Sequence, residues 1–345
     1  MKENSLHDGP GIGPTGYSYF GPEVAENGIQ RQERFICDLS HLGFAIAVGP
    51  DAISFLHGQL TNDLQNLGGG ESQLTGYCTP KGRVVCIFRA HLDDGKVLLQ
   101  ANKSVLPSAL GTLRRFVLRA KLELEYSNDI DSIGVVGSEC GRALAELTGG
   151  VPEQAGGVLA TGGVTIICHT QAAPERYQVI GPAASLDPLR HELFHAWPRA
   201  GSWAWASLDV EQCQPVIFEQ TTEKFVPHSL NMDLVKAIDF HKGCYPGQEI
   251  VARMQYLAKP KYRMVRARVH ADSLPAPGDK LYASDKDQSI GMLVNAVPAD
   301  RGYDILTTVR IEYLEGGELR LNERSGAHVE LLDMPYTLDD VASGK

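Results

Sequence analysis

The sequence predicts an α+β protein with two split-βαβ-type domains of mixed helix and sheet, followed by a small antiparallel β-barrel. Between residues 36 and 128, helical and strand-like apolar spacings alternate in the order β-α-β-β-α-β, which is the split-βαβ plan. A similar order recurs in the segment that follows, as a repeat of pattern and not of sequence. After residue 260 the helical spacing disappears, and short apolar runs separated by Gly, Pro and Asp are typical of a small barrel.

These patterns divide the 345 residues into five parts. Residues 1–33 are rich in Gly, Pro and polar side chains without periodicity, which is typical of a flexible arm. The motif "GPGIGPTG" in this arm is similar to a phosphate loop, but no strand precedes it and no helix pattern follows, so nucleotide binding is disfavoured. The other parts are a first α/β domain at 34–128, a second α/β region at 129–258 interleaved with the first, the β-barrel at 259–336 and a loose tail at 337–345.

The composition is that of a folded protein with an acidic surface. Apolar residues make up 43 % and charged residues 21 %, and the formal net charge is −10. We therefore expect a monomer that does not bind nucleic acid directly. No apolar run is long enough to span a membrane, and the N-terminus lacks the apolar core of a signal peptide. Seven irregularly spaced cysteines indicate a reducing compartment, so the predicted location is the cytoplasm.

The elements of the first domain follow from local patterns. "LGFAIAVG" reads as a strand, and "DAISFLHGQLTNDLQNL" has helical spacing from Ile53 to Leu67, with Asp51 as the predicted N-cap. The strands "SQLTGYC", "RVVCIFRAHL" and "KVLLQA" follow, the last two joined by a hairpin turn. A helix over "SVLPSALGTLRRFVL", with Pro107 near its start, and a strand over "KLELEY" complete the domain.

The second region repeats this order with its own sequence. The strand "SIGVVG" and the helix "CGRALAELTGG" precede the strands "GVTIICH" and "RYQVI". The next helix contains H-E-x-x-H, but His191 and His195 lie opposite its apolar stripe, so a zinc site is disfavoured. The segment "WAWASLDVEQ" is predicted to be extended, with Trp203 and Trp205 on one face of a strand.

Two groups of side chains could contact a ligand. The two indoles could belong to a core, or they could form a flat wall for a stacked heterocycle. Asp209 or Glu211 could then accept a hydrogen bond from a ring N–H edge, which makes a pterin-like ligand chemically reasonable. Basic side chains at Lys81, at Arg83 and in "RRFVLRAKL" could form a rim for an anionic polyglutamate tail, or simply a solvated face.

The segment "DFHKGCYPGQEIVAR", residues 239–253, holds the most informative cysteine. No C-x-x-C pair occurs in the chain, and Cys86 and Cys168 lie in apolar runs, as small core residues do. Cys244, in contrast, comes shortly before a predicted helix, where the helix dipole and Lys242 would favour the reactive thiolate. The alternative is a buried and inert cysteine whose flanking glycines only serve the turn.

"KGCYPGQEIVAR" resembles the K-G-C-Y-x-G-Q-E signature of the YgfZ family, folate-binding proteins related to the T-protein of the glycine cleavage system. "VGPDAISFLHGQLTNDL", "CTPKGRV", "RRFVLRAKLEL" and "FVPHSLNMDL" fall in family order, so the resemblance covers about residues 36–260. It implies a T-protein-like fold, with α/β domains around a central folate cleft. It also implies a tetrahydrofolate-dependent role in assembling or repairing iron–sulfur clusters of client enzymes, among them tRNA-modifying enzymes.

The resemblance further implies roles for individual residues. Trp205 matches a folate-contacting tryptophan, and Cys244 matches the signature cysteine, which would be a reactive thiolate or a transient contact for a cluster. Beyond the resemblance, we expect Lys242 to act with this thiol and, together with Arg253, to keep it ionised. No resident metal is implied. The side chains and glycines implied to surround the folate are Trp203, Trp205, Tyr245, Gly243, Gly247, Gln248, Glu249, Arg253 and Asn62.

Two positions depart from the pattern of these relatives. A second folate-contacting tryptophan of some members falls at Leu42 here. The catalytic aspartate of the T-protein aligns near Val85 and Cys86, where no carboxylate is present, so aminomethyl transfer would lack its electrostatic support. An accessory factor is therefore expected. The alternatives are a folate-dependent one-carbon transferase and a non-catalytic folate-binding module with a structural cysteine.

Overall fold

A computed structural model describes residues 15–18, 34–285 and 287–338 of the chain. Most of the predicted flexible arm and of the predicted loose tail therefore lies outside the described residues, as does most of "GPGIGPTG". The helices in the described part are α1 (Ala52–His57), α2 (Leu106–Arg114), α3 (Cys140–Thr148), α4 (Ala183–Ala196), α5 (Ser202–Glu211) and α6 (Gln248–Tyr256). None of them is long and apolar enough to cross a membrane.

Two five-stranded antiparallel sheets form the α/β part of the molecule. The first sheet has the order β3-β4-β5-β2-β6, and the second has the order β1-β7-β10-β9-β8. The strands of the first sheet are β2 (Leu42–Val48), β3 (Ser72–Cys78), β4 (Val84–Asp93), β5 (Lys96–Asn102) and β6 (Glu123–Ser127). Those of the second are β1 (Phe35–Asp38), β7 (Ile130–Val136), β8 (Val158–Thr161), β9 (Val164–Thr170) and β10 (Arg176–Pro182).

The two sheets pack against each other and carry helices on their outer faces. A small buried cluster joins the inner faces, with Phe44 and Leu98 from the first sheet and Ile167 and Ile180 from the second. Apolar residues of α2 pack on the first sheet, and those of α3 and α4 pack on the second. Because both faces are covered, β4 is apolar over most of its length instead of strictly alternating.

The remaining strands close into the predicted antiparallel barrel, in the order β11-β14-β13-β12-β15-β16. These strands are β11 (Tyr262–Val269), β12 (Lys280–Ala283), β13 (Ser289–Pro298), β14 (Tyr303–Arg310), β15 (Leu319–Leu321) and β16 (His328–Leu331). Closure leaves no unpaired sheet edge, which is how a small all-β unit protects its backbone groups. The predicted α+β class with a carboxy-terminal antiparallel barrel is confirmed.

The helix predicted from Asp51 to Leu67 is shorter than expected, because α1 ends at His57. The next residues turn to bond β3 instead: Thr61 N–H donates to the Gly76 carbonyl at 2.9 Å. Asp51 does not cap the helix with its side chain, since its carboxylate accepts a hydrogen bond from Lys121 N–H at 2.7 Å. The apolar spacing beyond His57 reflects burial of a turn segment and not a continued helix.

The prediction of an extended segment at "WAWASLDVEQ" is wrong, because these residues form α5. The helix has buried residues on nearly every side, among them Ala204, Trp205, Ala206 and Leu208. A helix that is covered all round shows no amphipathic period, so its sequence could not be distinguished from a buried strand. The H-E-x-x-H histidines of α4, in contrast, are solvent-exposed as predicted.

Candidate ligand cavity and cysteine loop

A cavity of about 90 Å³ lies where α5, the two sheets and the barrel meet. One wall comes from β4 and β5 of the first sheet, another from β9 of the second and from α5, and a third from β13 of the barrel. The described residues that line it are Tyr17, His41, Leu42, Leu74, Ile87, Arg89, Gln100, Ala101, Asn102, His169, Trp205, Asp209, Gln214, Pro215, Val216 and Asn295.

Trp205 is held in this wall by close packing on three sides. A Cβ added to Gly134 would lie 2.4 Å from the indole ring, so only glycine fits beneath this face of the tryptophan. The guanidinium of Arg176 lies 3.7 Å from the ring centroid, and the His169 ring meets the indole edge-on at 5.0 Å. Trp205 is 2 % exposed, so its orientation is fixed before any ligand binds.

The charges around the cavity are unequal in number. Arg176 is fully buried and pairs with the Asp209 carboxylate at 2.8 Å. Arg89 also lines the cavity; its hydrogen bond is to Ser72 Oγ at 3.3 Å, and no described carboxylate lies within 4.0 Å of it. Burial lowers the pKa of Arg89 to about 10, which leaves it charged at neutral pH. Of these three charged residues, Arg89 and Asp209 line the cavity, and Arg176 pairs with Asp209 without being among the described lining residues.

Three buried polar side chains of the lining have atoms without a hydrogen-bond partner in the described structure. These atoms are His41 Nδ1, Gln100 Oε1 and Asn102 Nδ2, and each residue is more than nine-tenths buried. Burial and the nearby Arg176 lower the pKa of His41 to about 3, so its ring is neutral at pH 7. An unpaired buried polar atom costs about 1–3 kcal/mol, so this arrangement is typical of a site whose partner is a ligand or bound water.

The cysteine loop, residues 239–247, is built on a different principle. The Lys242 ammonium donates to three main-chain carbonyls, those of His57, Leu60 and Asn62. All three N–H bonds are thereby used, so Lys242 has no donor left for a hydrogen bond to the Cys244 sulfur. Burial lowers the pKa of Lys242 to about 8, against the opposing effect of the Asp63 and Asp239 carboxylates.

Glycines let this loop approach the turn that precedes β4. Gly247 has φ +83°, and a Cβ there would lie 2.5 Å from the Thr79 carbonyl oxygen. A Cβ added to Gly82, which has φ +68°, would lie 2.9 Å from the Cβ of Ile250 in α6. The end of the loop and the start of α6 therefore pack closely against one turn, residues 79–82, and Gly247 serves this packing.

Cys244 is exposed, whereas the other six cysteines are buried. The predicted core positions of Cys86 and Cys168 are thus confirmed. Burial raises the pKa of Cys78 and of Cys213 to about 12, which leaves those thiols protonated and unreactive at neutral pH. The exposed thiol of Cys244 lies three residues before Gly247, the N-cap of α6.

The structure separates residues that the sequence had grouped in one folate site. Of the predicted set, Trp205 lines the cavity. Leu42, where the sequence resemblance implied the loss of a second tryptophan, lines it as well. Cys244, Lys242, Tyr245, Gly243, Gly247, Gln248, Glu249, Arg253 and Trp203 are not among the described residues that line it. Glu249 and Arg253 are exposed on α6, and Gln248 makes long contacts of 3.5 Å with the loop carbonyls of Lys242 and Gly243.

Asn62 lies between the two regions instead of inside the cavity. Its carbonyl accepts the hydrogen bond from Lys242 at 3.1 Å, and its side-chain amide donates to the Leu74 carbonyl at 2.8 Å. Leu74 lines the cavity. Asn62 therefore links the lysine of the cysteine loop to a cavity wall through two hydrogen bonds.

Sequence reasoning missed most of the polar lining. Gln100 and Asn102 are in the strand "KVLLQAN", and Arg89 interrupts the apolar strand "RVVCIFRAHL". Polar residues inside an apolar strand are the signal that could have pointed to them, because a buried polar group needs a partner. Tyr17 is in the segment predicted to be flexible and gave no such signal.

The fold is that of the T-protein class. The structure of the glycine cleavage system aminomethyltransferase T from Bartonella henselae superimposes with a TM-score of 0.75 over 94 % of this chain and 92 % of that chain, at 15 % sequence identity. That level of identity supports the fold and not the activity. The T-protein-like fold predicted from the sequence is confirmed.

Sequence comparison gives the narrower relationship. The chain is 28 % identical over 309 residues to the tRNA-modifying protein YgfZ of Cronobacter sakazakii, which covers 88 % of this chain and 94 % of that protein. It is 28 % identical over 298 residues to the protein of the same name from Sodalis glossinidius, covering 85 % and 90 %. No family model matches the chain. The resemblance to the YgfZ family is confirmed over nearly the full length of these relatives.

Proposed function

We infer that this protein binds tetrahydrofolate in the cavity beside Trp205 and supports the assembly or repair of iron–sulfur clusters in client enzymes, including tRNA-modifying enzymes. The observation that carries the folate half is the cavity lining. It combines a fixed indole with three buried polar side chains that have unpartnered atoms, namely His41, Gln100 and Asn102. A flat heterocycle with hydrogen-bonding edges satisfies both features at once.

The charged residues of the cavity match one edge of a pterin ring. A pterin presents a ring carbonyl oxygen next to a ring N–H, so it needs a donor and an acceptor side by side. Arg89 can donate to the oxygen and Asp209 can accept from the N–H, and both line the cavity. When bound, tetrahydrofolate supplies a carrier for one-carbon units on a reduced ring. The residues of this chain bind and orient it.

The cysteine loop supports the iron–sulfur half of the proposal. Cys244 is the accessible thiol among seven cysteines, and it lies on a loop whose backbone is locked by Lys242. An exposed sulfur on a rigid loop is suited to contact a partner protein or a cluster carried by that partner. The hydrogen bonds of Asn62 connect the cavity wall to this loop, so that ligand binding in the cavity can alter the position of the loop.

A folate-dependent one-carbon transferase remains the alternative, because Asp209 is a carboxylate inside the cavity. Its bond to Arg176 at 2.8 Å argues against this role, since the carboxylate is already engaged by a buried guanidinium. The positions that align with the T-protein aspartate, Val85 and Cys86, are buried and carry no acid. Steady product formation from tetrahydrofolate and an amine donor would favour the transferase over the accessory role.

Titration with tetrahydrofolate while tryptophan emission is recorded tests the folate half. We expect a saturable change in the parent protein, a similar affinity for Trp203→Phe, and an affinity about tenfold lower for Trp205→Phe. Trp203 is the matched control because it is the neighbouring indole of α5 and does not line the cavity. A parent protein without saturable binding would remove the folate half.

A genetic complementation assay tests the iron–sulfur half. In a strain that lacks this protein, the Cys244→Ala variant should fail to restore the activity of cluster-dependent enzymes, whereas Cys213→Ala should restore it. Cys213 is the control because it is buried in the core. Full restoration of activity by Cys244→Ala would favour the other alternative, a non-catalytic folate-binding module whose cysteine is dispensable.

A further inference from the structure

Residues 15–18, which we call the strap, cross the N-terminal end of α5. Ser18 N–H donates to Ser202 Oγ at 2.9 Å, and Ser202 N–H donates to Ser18 Oγ at 3.2 Å. The Ser18 carbonyl accepts a hydrogen bond from Trp203 N–H at 3.5 Å. The residue at the N-cap position of α5, Gly201, has no side chain that could do this. Ser18 therefore satisfies the first N–H groups of α5 from a distant part of the chain.

The close approach of the strap also explains the glycine at the start of α5. A Cβ added to Gly201 would lie 2.3 Å from the Ser18 carbonyl oxygen. No larger residue fits at this position unless the strap or the helix moves. The backbone of α5 is thus shaped around the strap, and α5 is the helix that carries Trp205 and Asp209 into the cavity.

Tyr17, the middle of the strap, is inserted between the barrel and the cavity. Its side chain is 3 % exposed and meets the His41 ring edge-on at a centroid distance of 4.8 Å. Asn295 of β13 donates from Nδ2 to the Tyr17 hydroxyl at 3.2 Å. Tyr17, His41 and Asn295 all line the cavity. A residue from the predicted flexible arm therefore forms one of its walls.

We propose that the strap completes the ligand site. Tyr17 contacts the bound ring through its phenol face, and Ser18 is a positioning residue that fixes Trp205 and Asp209 by capping α5. This inference rests on the proposed folate function and adds to it two residues outside the segment 36–260 that carries the YgfZ-like motifs. An aromatic ring suits position 17, because the ring reaches both His41 and the cavity while the hydroxyl bonds Asn295.

Tetrahydrofolate affinity and hydrogen exchange together test the strap in the full chain. Tyr17→Leu should weaken tetrahydrofolate binding about tenfold, and Tyr17→Phe should stay within about threefold of the parent, since it keeps the ring. Ser18→Ala should weaken binding by about threefold to tenfold, because one cap bond is lost. Amide exchange in α5, residues 202–211, should become faster in Ser18→Ala and unchanged in Tyr17→Phe.

Two matched variants control for loss of packing. Tyr177→Leu removes a tyrosine that is equally buried, at 3 %, but belongs to the outer core of the second sheet. Ser207→Ala removes a hydroxyl within α5 that bonds the Ala204 carbonyl and takes no part in the cap. Both should bind tetrahydrofolate like the parent, and thermal unfolding identifies any variant that fails to fold. Should Tyr17→Leu unfold, Tyr17→Met replaces it.

The outcomes separate this inference from the function on which it rests. Parent-like binding by Tyr17→Leu would overturn the role of Tyr17, and tighter binding would mean that the tyrosine blocks the cavity. Unchanged exchange in Ser18→Ala would overturn the capping role even if the parent binds no folate. Absence of binding in the parent alone would overturn the folate function, together with the ligand contact assigned to Tyr17.

Discussion

The cavity and the cysteine loop treat buried polar groups in opposite ways. In the loop, a buried ammonium has three carbonyl partners and leaves one sulfur exposed. In the cavity, buried side chains such as Gln100 and Asn102 keep polar atoms without partners. A saturated network holds a fixed shape, whereas an unsaturated one is completed from outside. The difference indicates that the loop exposes the Cys244 thiol and that the cavity is suited to bind a ligand.

The largest effect is expected where the saturated network is broken. Lys242→Met keeps the length of the side chain but leaves the carbonyls of His57, Leu60 and Asn62 without their donor. We expect a loss of about 3 kcal/mol in the free energy of unfolding, measured by urea denaturation. The control Lys81→Met, at an exposed lysine, should change it by less than about 0.5 kcal/mol. A small effect at Lys242 would mean that the loop is not held by its ammonium.

Acid should lower the free energy of unfolding, because His41 in the cavity wall is neutral in the folded protein. The pKa of His41 is about 3 in the folded state because of burial and Arg176, against 6.5 for the ordinary value. Between pH 6.5 and pH 3, the unfolded chain therefore binds a proton at His41 that the folded chain does not bind. The stability associated with His41 is fully present above pH 6.5 and is lost as the pH falls towards 3.

The matching variant is His41→Gln, compared with the exposed His270→Gln. In urea denaturation at several pH values, the free energy of unfolding of the parent should rise with pH. His41→Gln should reduce this slope by at most about 1.4 kcal/mol per pH unit. An identical slope for parent and His41→Gln would contradict a neutral histidine in the cavity wall.

The orientation of the ligand should depend on Arg89. Arg89→Gln removes a charged donor from the cavity and should weaken tetrahydrofolate binding about tenfold or more, as loss of a hydrogen bond to a charged group does. If the pterin edge faces Arg89, binding of 6-methyltetrahydropterin, which has no glutamate tail, should fall by the same factor. If the affinity falls for tetrahydrofolate alone, Arg89 binds the carboxylate tail instead of the pterin edge. Arg83→Gln, at an exposed arginine of the predicted basic rim, is the control.

The smallest effect is expected at the exposed sulfur. Cys244→Ser should change neither the free energy of unfolding, beyond about 0.5 kcal/mol, nor the affinity for tetrahydrofolate. Mass spectrometry after brief treatment of the native protein with iodoacetamide should find Cys244 labelled before the six buried cysteines. A drop in folate affinity on Cys244→Ser would instead join the cysteine to the cavity.

Much of the fold followed from local patterns, and most of the cavity did not. The strands around the Asp93–Gly95 turn and the barrel are set by alternation and turn residues, which act over a few positions. Helix α5 was misjudged because burial on all sides hides its period. The unpartnered state of Gln100 and Asn102 arises only when two sheets and the barrel come together, so no local pattern can report it. The capping of α5 by Ser18 likewise joins positions 184 residues apart.

Strand β1 has a consequence for how the chain is made. It belongs to the second sheet and pairs with β7, yet the whole first sheet lies between them in the chain. At a synthesis rate of about 5–20 residues per second, β1 must wait on the order of 5–20 s on the ribosome before its partner emerges. The first sheet is continuous in the chain, so it can form before the second sheet begins to pair. During that time the segment "FICD" has no strand partner, so its backbone N–H and C=O groups remain unpaired.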